Sequence, residues 1–442
     1  MRNGPVIETF WPRERVARSL TLSTMAFALS SGVFYTVSTL YFTRVVGLAP
    51  TTVGLGLGVA GGAGVLAAYG AGRLADRVGA HRVQWVATAL NGLAMLAYTA
   101  AHSAAAFVVV ACLAVAMRSA SGSAKQAVLA RWYVGPERVA VRARMRVVTN
   151  VCIGLGTVAA GAALLVDTAA AYQVAMLAVA VLLLAAVLPL ARLGRVPGLA
   201  ARMLEHRSDD GAGRSRGPSP LRDRTYVASV ALNSVLAMHF GLQTVGVPLW
   251  IASTGAPTVM VSVLLVLNTA VVALLQVRAS RGTDDVRRAG LTVRRASWLL
   301  AGACLAYALA GYGSVATACV LLVVAALAHS LGEILGEAGG WGMAFELADP
   351  RSAGAYQGLS QTGYAVASMV APPLVTATAI EHGTVGWVGL GVVFLAAGAG
   401  AAALVRRGRP GGGPGAVTTA APSATETGDP AAGGPGLPTR VG

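Results

Sequence analysis

The chain has 442 residues, of which 55% are hydrophobic and only 12% charged. Water-soluble globular proteins carry about 25% charged residues, so an ordinary soluble enzyme is excluded. A formal charge of +16 would suit nucleic acid, but the basic residues sit between long apolar runs, which points instead to a membrane protein with one basic side.

A helix needs ~20 apolar residues to cross the hydrocarbon of a bilayer. Twelve runs approach or exceed that length, near 19–42, 52–72, 83–101, 104–124, 145–166, 170–191, 225–250, 257–277, 296–313, 314–337, 355–379 and 386–405. Only helices or closed barrels satisfy their backbones in lipid. The expected fold is therefore an all-α integral membrane protein, with twelve transmembrane helices in two pseudo-symmetric six-helix bundles.

Residues 1–18 form an N-terminal segment without the short apolar core and small-residue cleavage site of a signal peptide, so the first run is a retained helix. Threading the runs from there leaves Arg44 as the one basic residue on an outer loop. Arg118 and Lys125 fall inside the fourth run, and the rest lie on the inner side or in the tails. This asymmetry predicts a multi-pass plasma-membrane protein with both termini cytoplasmic. Trp85, Trp132, Trp298 and Trp341 near inner helix ends, with Trp250 and Trp387 near outer ones, fit an interfacial belt. Cys112, Cys152, Cys304 and Cys319 all lie in apolar runs and read as small buried thiols.

The first helix offers Tyr35, Thr36 and Thr39 to a central cavity. Between the second and third helices stands a compact charged turn, Gly72-Arg73-Leu74-Ala75-Asp76-Arg77-Val78-Gly79-Ala80-His81-Arg82. Its glycines let two helices approach and turn tightly. Asp76 can accept hydrogen bonds from the N-terminus of a neighbouring helix, where the macrodipole favours an anion. Gly72, Asp76, Arg77, Gly79 and Arg82 are accordingly candidate gating residues.

The fourth helix reads Met117-Arg118-Ser119-Ala120-Ser121-Gly122-Ser123-Ala124-Lys125-Gln126. An arginine inside an apolar helix is costly and is functional or paired by default. Lys125, the only lysine of the chain, lies two turns further on the same face; it either snorkels to the inner interface or belongs to a gate. The fifth helix contributes Asn150 and the small-residue segment 154–161, suited to close helix packing.

Residues 192–224, rich in arginine, glycine and proline, predict a flexible cytoplasmic linker. It separates an N-terminal bundle, 19–191, from a C-terminal one, 225–405. The seventh helix offers Asn233, Gln243 and His239, which can titrate near neutrality; the eighth offers Asn268. Arg281-Gly282-Thr283-Asp284-Asp285-Val286-Arg287-Arg288 then echoes the charged turn faintly. On the tenth helix, Glu333 and Glu337 share a face at i, i+4 spacing. Two poorly solvated carboxylates so close repel, so one holds its proton to higher pH, which suits Glu333 as a proton carrier; Glu337, nearer the inner end, suits a salt-bridged gate. Gln361 and Tyr364 follow on the eleventh helix, where Pro372-Pro373 predicts a kink. The tail, 406–442, has a composition that predicts disorder.

The turn at 72–82 resembles the G-x-L-a-D-r-x-G-r-r/k-r signature of the major facilitator superfamily, matching at Gly72, Leu74, Ala75, Asp76, Arg77, Gly79 and Arg82 and departing at Ala80 and His81. Arg118 with Gly122 resembles the second family motif, R-x-x-x-G, whose arginine is associated with proton coupling. Gly332-Glu333 with the segments 346–350 and 356–358 resembles a pattern of drug-exporter-like facilitators. The resemblance implies a secondary transporter that exports small organic molecules, such as drugs or secondary metabolites, by proton-coupled alternating access. It further implies that Asp76 latches onto the start of the eleventh helix and that Glu333 couples to Arg118. The fifth helix lacks the proline of the antiporter pattern Gly-x-x-x-Gly-Pro-x-x-Gly-Gly, which leaves proton-coupled uptake of a peptide or sugar as the alternative, with a non-transporting sensor behind it. No phosphate loop, cofactor motif or metal-ligand spacing occurs. The expected partners are a small-molecule substrate, protons and the lipid bilayer, without nucleic acid, and the expected state is a monomer.

Overall fold

The computed structural model describes residues 5–204 and 219–407. Among them no strand occurs, and twelve long helical spans do. Those of the first half are α1 (Arg15–Val45), α2 (Pro50–Val78), α3 (Ala80–Tyr98), α4 (Ala104–Trp132), α5 (Gly135–Val166) and α6 (Ala169–Arg195). The second half holds α7 (Arg224–Ser253), α8 (Val259–Ala279), α9 (Val286–Leu309), α10 (Val315–Glu346), α11 (Pro350–Ile380) and α12 (Gly383–Arg406). Ten are long and apolar enough to cross a membrane. The other two are α3, a short helix carrying His81, Arg82, Gln84 and Asn91, and α9, which opens with Arg287, Arg288, Arg294 and Arg295.

Within the first half α1 packs on α5 and α6, α2 on α4, and α3 on α4 and α6; within the second, α9 packs on α10 and α12, α8 on α10, and α7 on α11 and α12. The halves meet where α11 packs on α2 and α4, and where α5 packs on α8. Large apolar side chains such as Leu55, Leu66, Val158 and Leu165 stay exposed, as a lipid-facing surface requires.

Several helices continue past the apolar runs into arginine-rich sequence. α4 extends to Trp132, α5 begins at Gly135 and α9 at Val286, and α10 reaches Glu346. Hydropathy ends a run where charge begins, yet the backbone stays helical because one side of each extension, as at Val139, Ala289 and Phe345, is buried against neighbouring helices. All these extensions lie on one face of the molecule, the face at which α1 starts and α12 ends.

That face is tied by caps that also bind neighbours. Glu14 accepts from Val16 N (3.0 Å) and Ala17 N (2.5 Å) to start α1, and also from Tyr133 Oη (2.5 Å) at the end of α4. Asp223 caps α7 through Tyr226 N (3.0 Å) and accepts from Tyr356 Oη of α11 (3.2 Å). The turn from α2 to α3 is a single residue, Gly79 at φ 96°, a conformation open to glycine alone at low cost.

The last turn of α6 and the segment after it depart from the expected flexible linker. Arg192–Arg195 is a short 3-10 turn and Leu199–Leu204 a short helix. Leu193, Leu199 and Met203 are fully buried in the core of the first half: an apolar i, i+4 pair docks this end of the linker despite its arginines. The central part of the linker and the tail beyond 407 lie outside the described residues.

Candidate functional site

Asp76, one turn before the end of α2, meets the first turn of α11. Its Oδ1 accepts from Gly354 N (2.7 Å) and its Oδ2 from Ala355 N (2.7 Å). Arg131 Nη2, near the end of α4, donates to Oδ1 at 2.8 Å. An anion thus sits on two free amides of a helix N-terminus, the arrangement the macrodipole favours. Gly72, one turn earlier, makes the approach possible: a Cβ there would run into the backbone of Gly354 and Gly358. Arg77 and Arg82 are exposed on the same face. The echo at 281–288 does something else, since Asp285 caps its own helix through Arg288 N at 2.7 Å.

A second contact between the halves is a seam of α5 against α10, running antiparallel. Arg138, Arg142 and Arg146 fall at i, i+4 and i+8, one stripe of α5. Arg138 pairs with Glu346 at 3.3 Å. Arg142 lies over the rings of Trp341 (4.8 Å) and Phe345 (5.4 Å). Arg146 reaches Glu333 at 2.5 Å and Glu337 at 3.4 Å, and its guanidinium stacks on Phe240 of α7 at 5.0 Å. Trp341 and Phe345 belong to the hydrophobic core of the first half although they stand on α10. Glu333 is 1% exposed and receives a further hydrogen bond from Asn268 Nδ2 (2.8 Å), which also donates to Ser330 Oγ (3.1 Å).

These pairings correct two expectations. Glu333 is paired with Arg146, not Arg118. Arg118 donates to Ser31 Oγ at 3.2 Å and stacks on Phe27 and Tyr35 of α1, and among the described residues no carboxylate lies within ion-pair distance of it. Glu337 does not stand apart at a helix end; α10 runs on for nine residues beyond it, so it joins Glu333 on the same guanidinium.

The seam borders a cavity of about 230 Å³ between the halves. Of the residues expected to line it, Asn233, His239, Gln361 and Tyr364 do, as do Lys125 and Glu337. Gln243 and Asn268 line instead a separate void of about 20 Å³ with His329 and Ser330, room for one water. Buried His239 and His329 join the two spaces, Nδ1 to Nε2 at 3.1 Å. Tyr35, Thr36, Thr39 and Asn150 line neither: Tyr35 lies under Arg118, and the Thr36 hydroxyl is bonded to Gly32 O of its own helix (2.9 Å). Lys125 does not reach the face of the molecule but faces the cavity, and no carboxylate among the described residues pairs with it.

Twelve helices in two bundles, latched and salt-bridged across a polar central cavity, are the architecture of a secondary transporter. The profile of the Major Facilitator Superfamily matches residues 20–372, and the chain belongs to that family, whose members carry small molecules across bilayers. Solved structures agree in fold. The human organic anion transporter MFSD10 (TETRAN) superposes with a TM-score of 0.62 at 15% identity, over 88% of this chain and 99% of its own. The proton:xylose symporter XylE gives 0.62 at 13%, over 87% and 94%. A bacterial homologue of the iron transporter ferroportin in an outward-facing state gives 0.66 at 15%, over 88% and 98%. A search of curated proteins finds no match in sequence.

Proposed function

We propose that the chain is a proton-coupled secondary transporter of small organic molecules, acting as a monomer in the plasma membrane with the latch face cytoplasmic. One observation carries the coupling: a single guanidinium, Arg146, bound by two carboxylates of the opposite bundle, Glu333 and Glu337. With both ionised, the seam is held by charge in a poorly solvated place. Protonating one removes its attraction and leaves the halves freer to part, so proton occupancy biases which face is open. Asp76, Arg131 and the start of α11 then form the cytoplasmic latch, with Gly72 and Gly79 allowing the approach. Arg118, stacked on α1, holds α4 and α1 together within the moving half.

The pattern of the tenth and eleventh helices favours export of drugs or secondary metabolites. A second reading, proton-coupled uptake, is favoured by the excess of cations in the cavity, because a proton added to Glu333 or Glu337 and an anionic cargo reinforce one another. The structural neighbours carry cargoes too different to choose between these.

The coupling is tested in liposomes under an imposed pH gradient. Glu333→Gln and Arg146→Gln variants are expected to lose uphill movement of cargo while retaining downhill exchange. Uphill transport by Glu333→Gln at the unaltered rate rules the assignment out. Direction is read separately in an efflux-deficient host carrying the gene: resistance to toxic compounds indicates export, heightened sensitivity uptake.

A further inference from the structure

The α5–α10 seam is a ladder with one rung missing its acid. Arg138 has Glu346, and Arg146 has Glu333 and Glu337. Between them Arg142 has no salt bridge among the described residues: it lies over the rings of Trp341 and Phe345 and feels the charge of Glu337 only at longer range. A guanidinium stacked by its face keeps its N–H donors at the edge, and here Nη1 is buried without a hydrogen-bond partner. Arg142 lines the central cavity together with Lys125. Among the described residues Glu337 is the only carboxylate on the cavity wall, and Arg146 already engages it. Arg142 and Lys125 thus lack a salt-bridge partner among the described residues, and the cluster of three cations and two carboxylates keeps one positive charge in excess, in a place where an unpaired charge is expensive.

We infer that the cavity takes its cargo by an anionic end, an organic carboxylate clasped between the free edge of Arg142 and the ammonium of Lys125. The carboxylate completes the ladder's middle rung. Trp341 and Tyr364 then supply an apolar wall for the body of the molecule, with Gln361 as a neutral donor beside it. At about 230 Å³ the cavity falls short of the 300–1,000 Å³ of drug-sized sites, so it fits an aromatic monocarboxylate in preference to a larger polyanion. This rests on reading the cavity as the substrate path, and not on the direction of transport or on proton coupling.

The test is equilibrium binding to the full chain in nanodiscs at equal pH on both sides, with benzoate, 1-naphthoate and 4-phenylbutyrate each set against its neutral amide. The acids are expected to bind at least tenfold more tightly than the amides. Arg142→Gln and Lys125→Gln should each weaken acid binding by tenfold or more and amide binding by far less, so that the preference for acids collapses, while Arg142→Lys retains it. Equal affinity for acids and amides, absence of acid binding throughout the set, or acid binding undiminished in Arg142→Gln overturns the proposal. If the acids fail to bind while Glu333→Gln still abolishes uphill transport of another cargo, the inference falls and the transport reading stands.

Discussion

Asp76→Asn removes one negative charge from the latch and little volume. The native carboxylate accepts from two α11 amides and from Arg131. An asparagine offers one acceptor oxygen, and its NH2 then faces an amide N–H, donor against donor. One charge-assisted hydrogen bond is lost, roughly 1.5–3 kcal/mol, and Arg131, whose side chain is 6% exposed, loses its counter-ion. Breaking a buried pair costs about 3–5 kcal/mol. Because the Asp76 side chain keeps 18% of its exposure and the amide still accepts, the lower end applies, about 3 kcal/mol. These interactions exist only with the face closed, so the loss shifts the open-to-closed ratio by roughly 150-fold. A face open in about 1% of molecules becomes open in about 60%. Nitroxide pairs at the exposed positions 82 and 222, one on each half, in a background lacking the four cysteines, report this by pulsed electron resonance. A long-distance population should grow in Asp76→Asn. An unchanged distance distribution refutes the latch.

The other expected outcomes follow from the same contacts. Gly72→Ala puts a methyl into the backbone of Gly354 and Gly358; overpacking costs about 1–3 kcal/mol, so the same labels should show opening without any change of charge. Arg146→Ala leaves Glu333 and Glu337 unpaired and should destabilise the fold by about 3–5 kcal/mol at neutral pH, with part of the loss recovered at low pH, as thermal melts in detergent will show. Arg118→Gln removes stacking on Phe27 and Tyr35 and should slow turnover without moving the pH at which transport is half-maximal, whereas Glu333→Gln should abolish that pH dependence; a shifted midpoint in Arg118→Gln reinstates it in the coupling.

The parts legible in the sequence were those written in short, local patterns. The turn at 72–82 announced the carboxylate that meets the eleventh helix, and the i, i+4 spacing of Glu333 and Glu337 announced a shared face. Their partner was hidden by the charge around it: the fifth apolar run starts only at 145, after Arg142, so Arg138 and Arg142 read as loop charges and Arg146 as a helix-end charge. An arginine at every fourth position from 138 to 146 was the available signal, since a loop has no need of helical spacing. Lys125 and Arg118 share a helix face, yet one opens to the cavity and the other is enclosed by α1, a difference that only packing decides. The docked helix at Leu199–Leu204 was masked by its flanking arginines.

The cavity's charge and the two carboxylates of the seam are one electrostatic system. Lys125, Arg142 and Arg146 face Glu333 and Glu337, so the cluster is already one positive charge in excess when both acids are ionised. Protonating either acid raises that excess and leaves Arg146 with a weaker hold on the seam. An anion therefore binds better to the protonated form, and by reciprocity the bound anion raises proton affinity. The expected result is a carboxylate affinity that climbs as the pH is lowered while the ligand stays ionised, with the climb absent in a Glu333→Gln, Glu337→Gln double variant. That sign belongs to cotransport, in which proton and cargo occupy the carrier together and move in the same direction. Affinity that falls on acidification means that proton and cargo exclude one another; it would make the chain an exchanger and restore export as its direction.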